Sequence, residues 1–390
     1  MKGHIQQRGK DSWRLKFDLG RDPATGKRRT RFMTVRGGKR QAQAALANAL
    51  AEIDKQTFVD RSSVTVAEHL RAWLAGIRPD LGAKTFEVYE QIVSKHLIPA
   101  LGAIRLQQLA TWQLREYYAR ARSEGRKVEI AGKAIVRPPL SPTTVRHHHR
   151  LLVAALGQAV TDGALRSNPA AVKKLAPAAA KSEITILNAD QISMVLRASA
   201  DTPLRLPVLI ALGTGMRRGE ILALRWGEVD LDQAKLTVTR TLEQTASGVR
   251  FKAPKTASSR REIELPGMVI EELRRHRLQQ AEALLKHGVR QGVETLVCAR
   301  ETGEPLSPRD VTKGFERLVK RLRLDVRFHD LRHTHVSQLL ALGINLKVVT
   351  ERIGHASPAF TLKTYAHLVP GLQGEAATRI DAVLRMSQER

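Results

Sequence analysis

Cysteine is almost absent. Cys298 is the only one in 390 residues, so neither an intramolecular disulfide nor a multi-cysteine zinc module can form. Long apolar runs are missing too. The strongest, about Leu206 to Met216, is far short of the roughly 20 residues a membrane-spanning helix needs. The opening stretch Met1-Lys-Gly-His-Ile-Gln-Gln-Arg8 has no apolar core and does not read as a secretory signal. Acidic residues are scarce: 38 Asp and Glu stand against 65 Lys and Arg, a formal net charge of +27. That excess points to a polyanionic partner, nucleic acid before an anionic membrane surface. Aromatics make up only 4%, and Tyr365 is the only one of four tyrosines beyond Tyr118.

What is present is enough apolar material to fold. A hydrophobic fraction of 42% with 26% charged residues excludes wholesale disorder. The length suits two or three domains of about 100–200 residues each. The charge is spread along the chain. Residues 1–60 carry 14 basic and 6 acidic side chains, residues 61–180 carry 18 and 8, and the remainder 33 and 24.

The pattern changes twice. Trp13, Leu15, Phe17 and Leu19 alternate with polar residues, as in a half-buried strand. Asp22 to Gly26 is a turn signal, and Lys27 to Phe32 reads as a very basic returning strand. Lys39 to Gln56 is helical. Residues 1–60 therefore predict a three-stranded sheet with one helix, its basic hairpin (Lys27, Arg28, Arg29, Arg31) facing DNA. After a linker at 57–63, Thr65 and Glu68 form a capping box. Helical patterns follow over Leu81–His96, Leu109–Ser123 and Ser141–Gly163, the last opened by Ser141-Pro142. Residues 124–140 read as a loop or small hairpin. Residues 64–175 are expected to be all-α.

An Ala/Pro linker from Ala176 leads into residues 183–390, which are mixed but mainly helical with a small antiparallel sheet. Strands are expected at Lys235–Leu242, Gly248–Ala253 and Arg261–Leu265. Helices are expected at 190–198, 203–213, 218–224, 268–287, 307–322, 329–342, 347–353, 360–368 and 374–386.

Four clusters in this last part carry chemistry: Thr214-Gly-Met-Arg-Arg-Gly-Glu220, Lys255-Thr-Ala-Ser-Ser-Arg-Arg261, His329-Asp-Leu-Arg-His333, and Gly354-His355 with Tyr365 ten residues on. Here the sequence resembles the tyrosine recombinases, or phage-type integrases, whose pattern is Arg, Lys, His-x-x-Arg, Gly-His and a nucleophilic Tyr. Thr85 to Gly102 and Ser141 to Pro169 resemble the family's core-binding domain, and the basic sheet resembles its arm-type DNA-binding domain.

The resemblance implies a site-specific recombinase that cuts and rejoins double-stranded DNA at attachment sites, integrating or excising a phage or mobile element. Tyr365 would attack the scissile phosphate and hold the broken end as a 3′-phosphotyrosyl bond, with no ATP, metal or other cofactor. Arg217 and Arg332 would clamp the phosphate oxygens, a bidentate task that Lys cannot reproduce. Lys255 would protonate the leaving 5′-oxygen, His329 would serve as general base for Tyr365, and His355 would donate to a phosphate oxygen. Glu220 would orient an arginine. Lys84, Thr85, Thr144 and Arg146 would join the hairpin cations on DNA. The resemblance further implies a tetramer on DNA with the 374–386 helix docked on a neighbour, accessory directionality or DNA-bending proteins, and a cytoplasmic, nucleoid-associated location without membrane attachment.

Other readings compete at single positions. Arg218 adjoins Arg217 and reads as a solvated helix charge. Lys252 competes with Lys255. His329, His333 and His335 lack the carboxylate or cysteine support of a zinc site. His147, His148 and His149 read as part surface, part DNA-facing. Cys298 reads as buried and inert. For the whole chain, a type IB topoisomerase and a non-catalytic DNA-binding regulator are the rivals.

Overall fold

Alternation in the first strands and 3.6-residue periodicity after them lead to sheet-on-helix packing followed by helical layers. The computed structural model describes residues 3–21, 26–54, 62–130, 133–178, 184–253, 260–355 and scattered positions between 359 and 385. It divides into two units, Met1–Lys181 and Ser182–Arg390.

The first unit begins with an antiparallel meander, β1 (Gly3–Gly9), β2 (Ser12–Arg21) and β3 (Arg28–Arg36), covered on one face by α1 (Lys39–Asp54). Leu15 and Phe17 point at the helix, which answers with Ala42, Leu46, Ala49 and Ile53, a spacing that keeps one helical face inward. The other face of the sheet stays open. There Phe32 is half exposed, with the Arg14 guanidinium 4.0 Å from its ring centre and the Lys16 ammonium 5.8 Å away. The turn expected at 22–26 lies mostly outside the described residues, as does most of the 57–63 linker.

A second, helical core follows in this unit. The capping box forms as its sequence requires: Thr65 N–H donates to Glu68 Oε2 at 2.8 Å and Glu68 N–H to Thr65 Oγ1 at 3.2 Å, opening α2 (Val66–Ile77). Next come α3 (Ala83–Ile92), α4 (Ile98–Leu101), α5 (Thr111–Ser123) and α6 (Pro142–Thr161). A π turn over Val93–Leu97 joins α3 to α4. Pro99 explains it: proline offers no N–H and its ring crowds the carbonyl four residues back, so the preceding turn widens. The 124–140 segment contains a hairpin, β4 (Arg126–Ile130) with β5 (Lys133–Arg137). Two of the three consecutive histidines differ from their surface reading. His148 and His149 are buried, and Tyr117 and Tyr118 on α5 bond their Nδ1 atoms at 2.8 and 3.1 Å; only His147 is exposed.

The second unit is built around α8 (Arg205–Thr214), apolar on nearly every side and therefore enclosed. Around it pack α7 (Ala189–Ser199), α9 (Arg218–Ile221), α10 (Gly267–Lys286) and α12 (Asp330–Ala341), with α11 (Pro308–Arg321) and α13 (Leu346–Ile353) beyond. The expected strand at 235–242 is two strands. β7 (Lys235–Val238) lies between β10 (Arg261–Glu264) and β6 (Val229–Asp230), whereas β8 (Thr241–Thr245) pairs with β9 (Gly248–Lys252) in a separate sheet. The break falls where Thr239 and Arg240 both turn to the Glu228 carboxylate and leave the ladder. Of the helix expected at 360–368, all but Leu362 and Tyr365 lie outside the described residues; over 374–386 the described positions, Gly374, Ala377, Thr378, Ile380, Asp381, Ala382, Leu384 and Arg385, are helical. Among the described residues, no helix is long and apolar enough to cross a membrane.

Candidate active site

The site is assembled at the carboxyl end of α13. A helix leaves its last carbonyls without intrahelical partners. Here three consecutive ones are taken by three arginines from different elements. Arg261 Nε donates to Arg352 O at 2.7 Å, Arg332 to Ile353 O at 2.6 Å, and Arg217 to Gly354 O at 3.3 Å. Gly354 closes the helix in the left-handed conformation, φ 64°, which favours a residue without Cβ, and the chain continues to His355.

Arg217 sits at the start of α9, its side chain 39% exposed. Glu220, one turn on, accepts from the Arg217 backbone N–H at 2.9 Å and from its guanidinium at 2.8 Å. The same buried carboxylate accepts from Arg261 at 2.9 Å, so one acid holds two bases. Burial pulls against ionisation of Glu220, but the two guanidiniums and the backbone bond leave its carboxyl below the usual range. Arg332 is buried on α12 and also donates to Gly215 O at 2.6 Å. These two backbone bonds use two of its five N–H donors. Burial and the neighbouring Arg217 push Arg332 down to about 9.

Tyr365 packs its ring among Val336, Val349 and Ile353 and is 1% exposed. Its hydroxyl meets His333 Nδ1 at 2.5 Å. Burial raises the phenol to about 12. His329 caps α12 and meets His333 edge-on, ring centres 5.0 Å apart. Enclosure and the adjacent His333 and Arg332 push His329 down to about 4, although part of the residue faces solvent. His355 is likewise lowered to about 4 by burial and by Arg332 and Arg217.

Arg217, Glu220, His329, Arg332, His355 and Tyr365 are thus neighbours, while Lys255 lies outside the described residues. Its competitor Lys252 ends β9 paired with Glu243. Arg218 is not a solvated charge: it is half-buried and donates to Thr312. Of the expected DNA contacts, Lys27, Arg28, Arg29 and Arg31 are exposed on or beside β3, with Arg28 paired to Asp18. Lys84 and Thr85 open α3, where Lys84 pairs with Glu87 at 3.1 Å, and Thr144 and Arg146 lie in the first turns of α6.

Two residues had no assigned role. Arg261 is in phase with the buried Ile263 on β10 and with Leu265 just after it, and that alternation marks it as inward-facing. His333 lies one helical turn from His329, on the same face.

Comparison with known proteins agrees with this geometry. A profile of the phage integrase family matches residues 184–370, and one of the N-terminal SAM-like domain of phage integrases matches 65–120. The chain is 26% identical over 389 residues to a XerC-like tyrosine recombinase of Caldanaerobacter subterraneus, covering 95% of each chain. It is also 26% identical over 337 residues to the integrase of Mycobacterium phage L5, covering 83% of this chain and 84% of that one. Among solved structures, the integrase of transposon Tn1549 in complex with a circular intermediate DNA aligns with a TM-score of 0.67 at 22% identity, over 82% of this chain and 100% of that one. A lambda integrase tetramer bound to a Holliday junction aligns at 0.53 and 19%, over 91% and 96%. With the ordered arginines, histidines and buried tyrosine at one helix end, these matches place the chain in the phage integrase family, as a tyrosine recombinase.

Proposed function

We propose that the chain is a site-specific DNA recombinase that integrates or excises a phage or mobile element by transesterification through Tyr365. The observation that carries this reading is the convergence of Arg217 and Arg332 on the Ile353–Gly354 backbone beside the Tyr365 hydroxyl. Two guanidiniums fixed side by side suit the non-bridging oxygens of a phosphodiester, whose charge grows in the transition state. A phenol next to them is a nucleophile that can hold the cut end and leave again. Lys255 is assigned to the leaving 5′-oxygen and His355 to a phosphate oxygen. On this reading residues 1–60 are an arm-binding domain using the open sheet face, 64–175 a core-binding domain and 183–390 the catalytic domain. Four copies would assemble on two duplexes; the lambda integrase structure shows a tetramer of that protein bound to a Holliday junction.

The test uses the full chain with sheared genomic DNA of its source. SDS stops the reaction, and protein-linked fragments are captured and sequenced. Wild type should retain discrete end sequences, and Tyr365→Phe should retain none while still binding DNA. Adducts that persist in Tyr365→Phe would remove Tyr365 from its role. Relaxation of any supercoiled plasmid by single copies, without site preference, would favour a topoisomerase.

A further inference from the structure

The Tyr365 phenol is held from two sides. Its ring is wedged among Val336, Val349 and Ile353, and its hydroxyl lies 2.5 Å from His333 Nδ1. The two rings are inclined by 49° with centres 5.5 Å apart, so the contact is made through the hydroxyl and not by stacking. If the hydroxyl donates, Nδ1 must be the lone-pair nitrogen and the ring proton sits on Nε2. Burial favours that neutral imidazole, since it lowers the affinity of His333 for a second proton. Such a ring can receive a proton and cannot already hold it. One turn earlier stands Asp330, a buried carboxylate whose field favours a proton on His333. Arg327 fixes that carboxylate with bonds of 2.8, 3.0 and 2.8 Å from its backbone N–H, Nε and a terminal nitrogen. The line Arg327, Asp330, His333, Tyr365 therefore runs from a clamped anion to the attacking oxygen. His329 meets this line at the edge of the His333 ring, and the Asp330 field reaches it too, but it is His333 whose nitrogen lies against the Tyr365 hydroxyl.

We propose that His333, rather than His329, takes the phenolic proton of Tyr365 when its oxygen attacks phosphorus. This rests on the recombinase reading above. In the forward step the Oη–P bond forms and the P–O5′ bond breaks. The phenolic proton passes to His333 Nδ1, and the released 5′-oxygen takes a proton from a separate acid, the role assigned to Lys255. In the reverse step a 5′-hydroxyl attacks phosphorus and gives its proton to that acid's conjugate base. The Oη–P bond then breaks and His333 returns its proton to the phenol. No electron or cofactor is exchanged. A base at this position matters because the buried phenol, raised to about 12, is almost entirely protonated near neutral pH.

The test uses full-length protein and a nicked duplex oligonucleotide carrying an end sequence recovered in the covalent capture. Wild type, His333→Ala, His333→Asn and His329→Ala are compared for DNA binding and for the single-turnover rate of adduct formation. Removing a general base costs about 10²–10⁴-fold, so His333→Ala should slow adduct formation at least a hundredfold with binding within threefold of wild type. Added imidazole should recover at least tenfold of that loss. His333→Asn puts an amide where Nδ1 sits, preserving volume and a hydrogen bond but not proton transfer. It should be as slow as the alanine variant and unresponsive to imidazole, and it carries the test should His333→Ala fold poorly. Adduct formation within threefold of wild type in either His333 variant would overturn the proposal. So would rescue by imidazole in His329→Ala and not in His333→Ala. If wild type itself forms no adduct, it is the recombinase reading that fails.

Discussion

His335 has two partners that demand opposite things of its ring nitrogens. Nδ1–H donates to Leu212 O at 2.7 Å, while Nε2 accepts from Arg352 Nε–H at 3.2 Å. A second ring proton would point at a guanidinium, in a site that is 7% exposed. Burial first and Arg352 second push His335 from 6.5 to about 4. Between those two values the unfolded chain binds a proton that the folded chain refuses. Stability from this group is therefore full above about pH 6.5 and lost as the pH falls toward 4, by at most about 3 kcal/mol. Urea midpoints at pH 7 and pH 5 should differ strongly for wild type and less for His335→Gln. Equal differences would show that another group carries the acid sensitivity. The residue scale is also where sequence reading was most uneven. Arg217, Arg332 and Tyr365 stand out by type and order alone. The burial of His148 and His149 could not be read, because the partners that satisfy them, Tyr117 and Tyr118, lie 31 residues away.

At the scale of elements, the turn between α8 and α9 decides whether the arginines meet. Gly215 ends α8 at φ 68°, turns its carbonyl to Arg332 and lets Arg217 start α9 two residues later. A Cβ at Gly215 would lie 2.6 Å from His335 Cδ2, and the left-handed conformation adds about 1–2 kcal/mol for any residue with a Cβ. Gly215→Ala should therefore destabilise the protein by at least about 2 kcal/mol and lower its Tm. Calorimetry showing an unchanged Tm would mean that the turn relaxes freely. Elements closed by their own side chains were legible. The Thr65–Glu68 box and the Ser141 cap, which accepts from Thr144 N–H at 3.2 Å, are local devices that sequence spacing reveals. The split between β7 and β8 was not, since Glu228 causes it from outside the strand. The three-arginine closure of α13 is likewise a meeting of distant segments, and only the inward phase of Arg261 hinted at it.

On the scale of the whole molecule, the net charge of +27 separates into two uses. A few cations are consumed internally: Arg261, Arg332 and Arg352 donate to backbone carbonyls and sit partly or wholly below the surface. Far more are exposed, among them Lys27, Arg28, Arg29 and Arg31 along β3. Exposed cations that meet phosphates displace condensed counterions, and each contact adds about 0.9 to the slope of log K against log salt. A chain with this excess should form at least about six such contacts, giving a slope steeper than about −5 on a mixed-sequence duplex. Affinity should then fall at least about a thousandfold between 50 and 200 mM salt. Filter binding across that range checks it, and a slope shallower than about −2 would mean that most of the charge serves something other than DNA. Replacing Arg29 and Arg31 together by Gln should flatten the slope by about 2 for the full chain. Arg332→Gln should leave the slope nearly unchanged, because that guanidinium is buried and, on the proposed reading, would meet a single phosphate. A flattening of equal size in both variants would contradict the division between backbone-tracking and site-forming arginines.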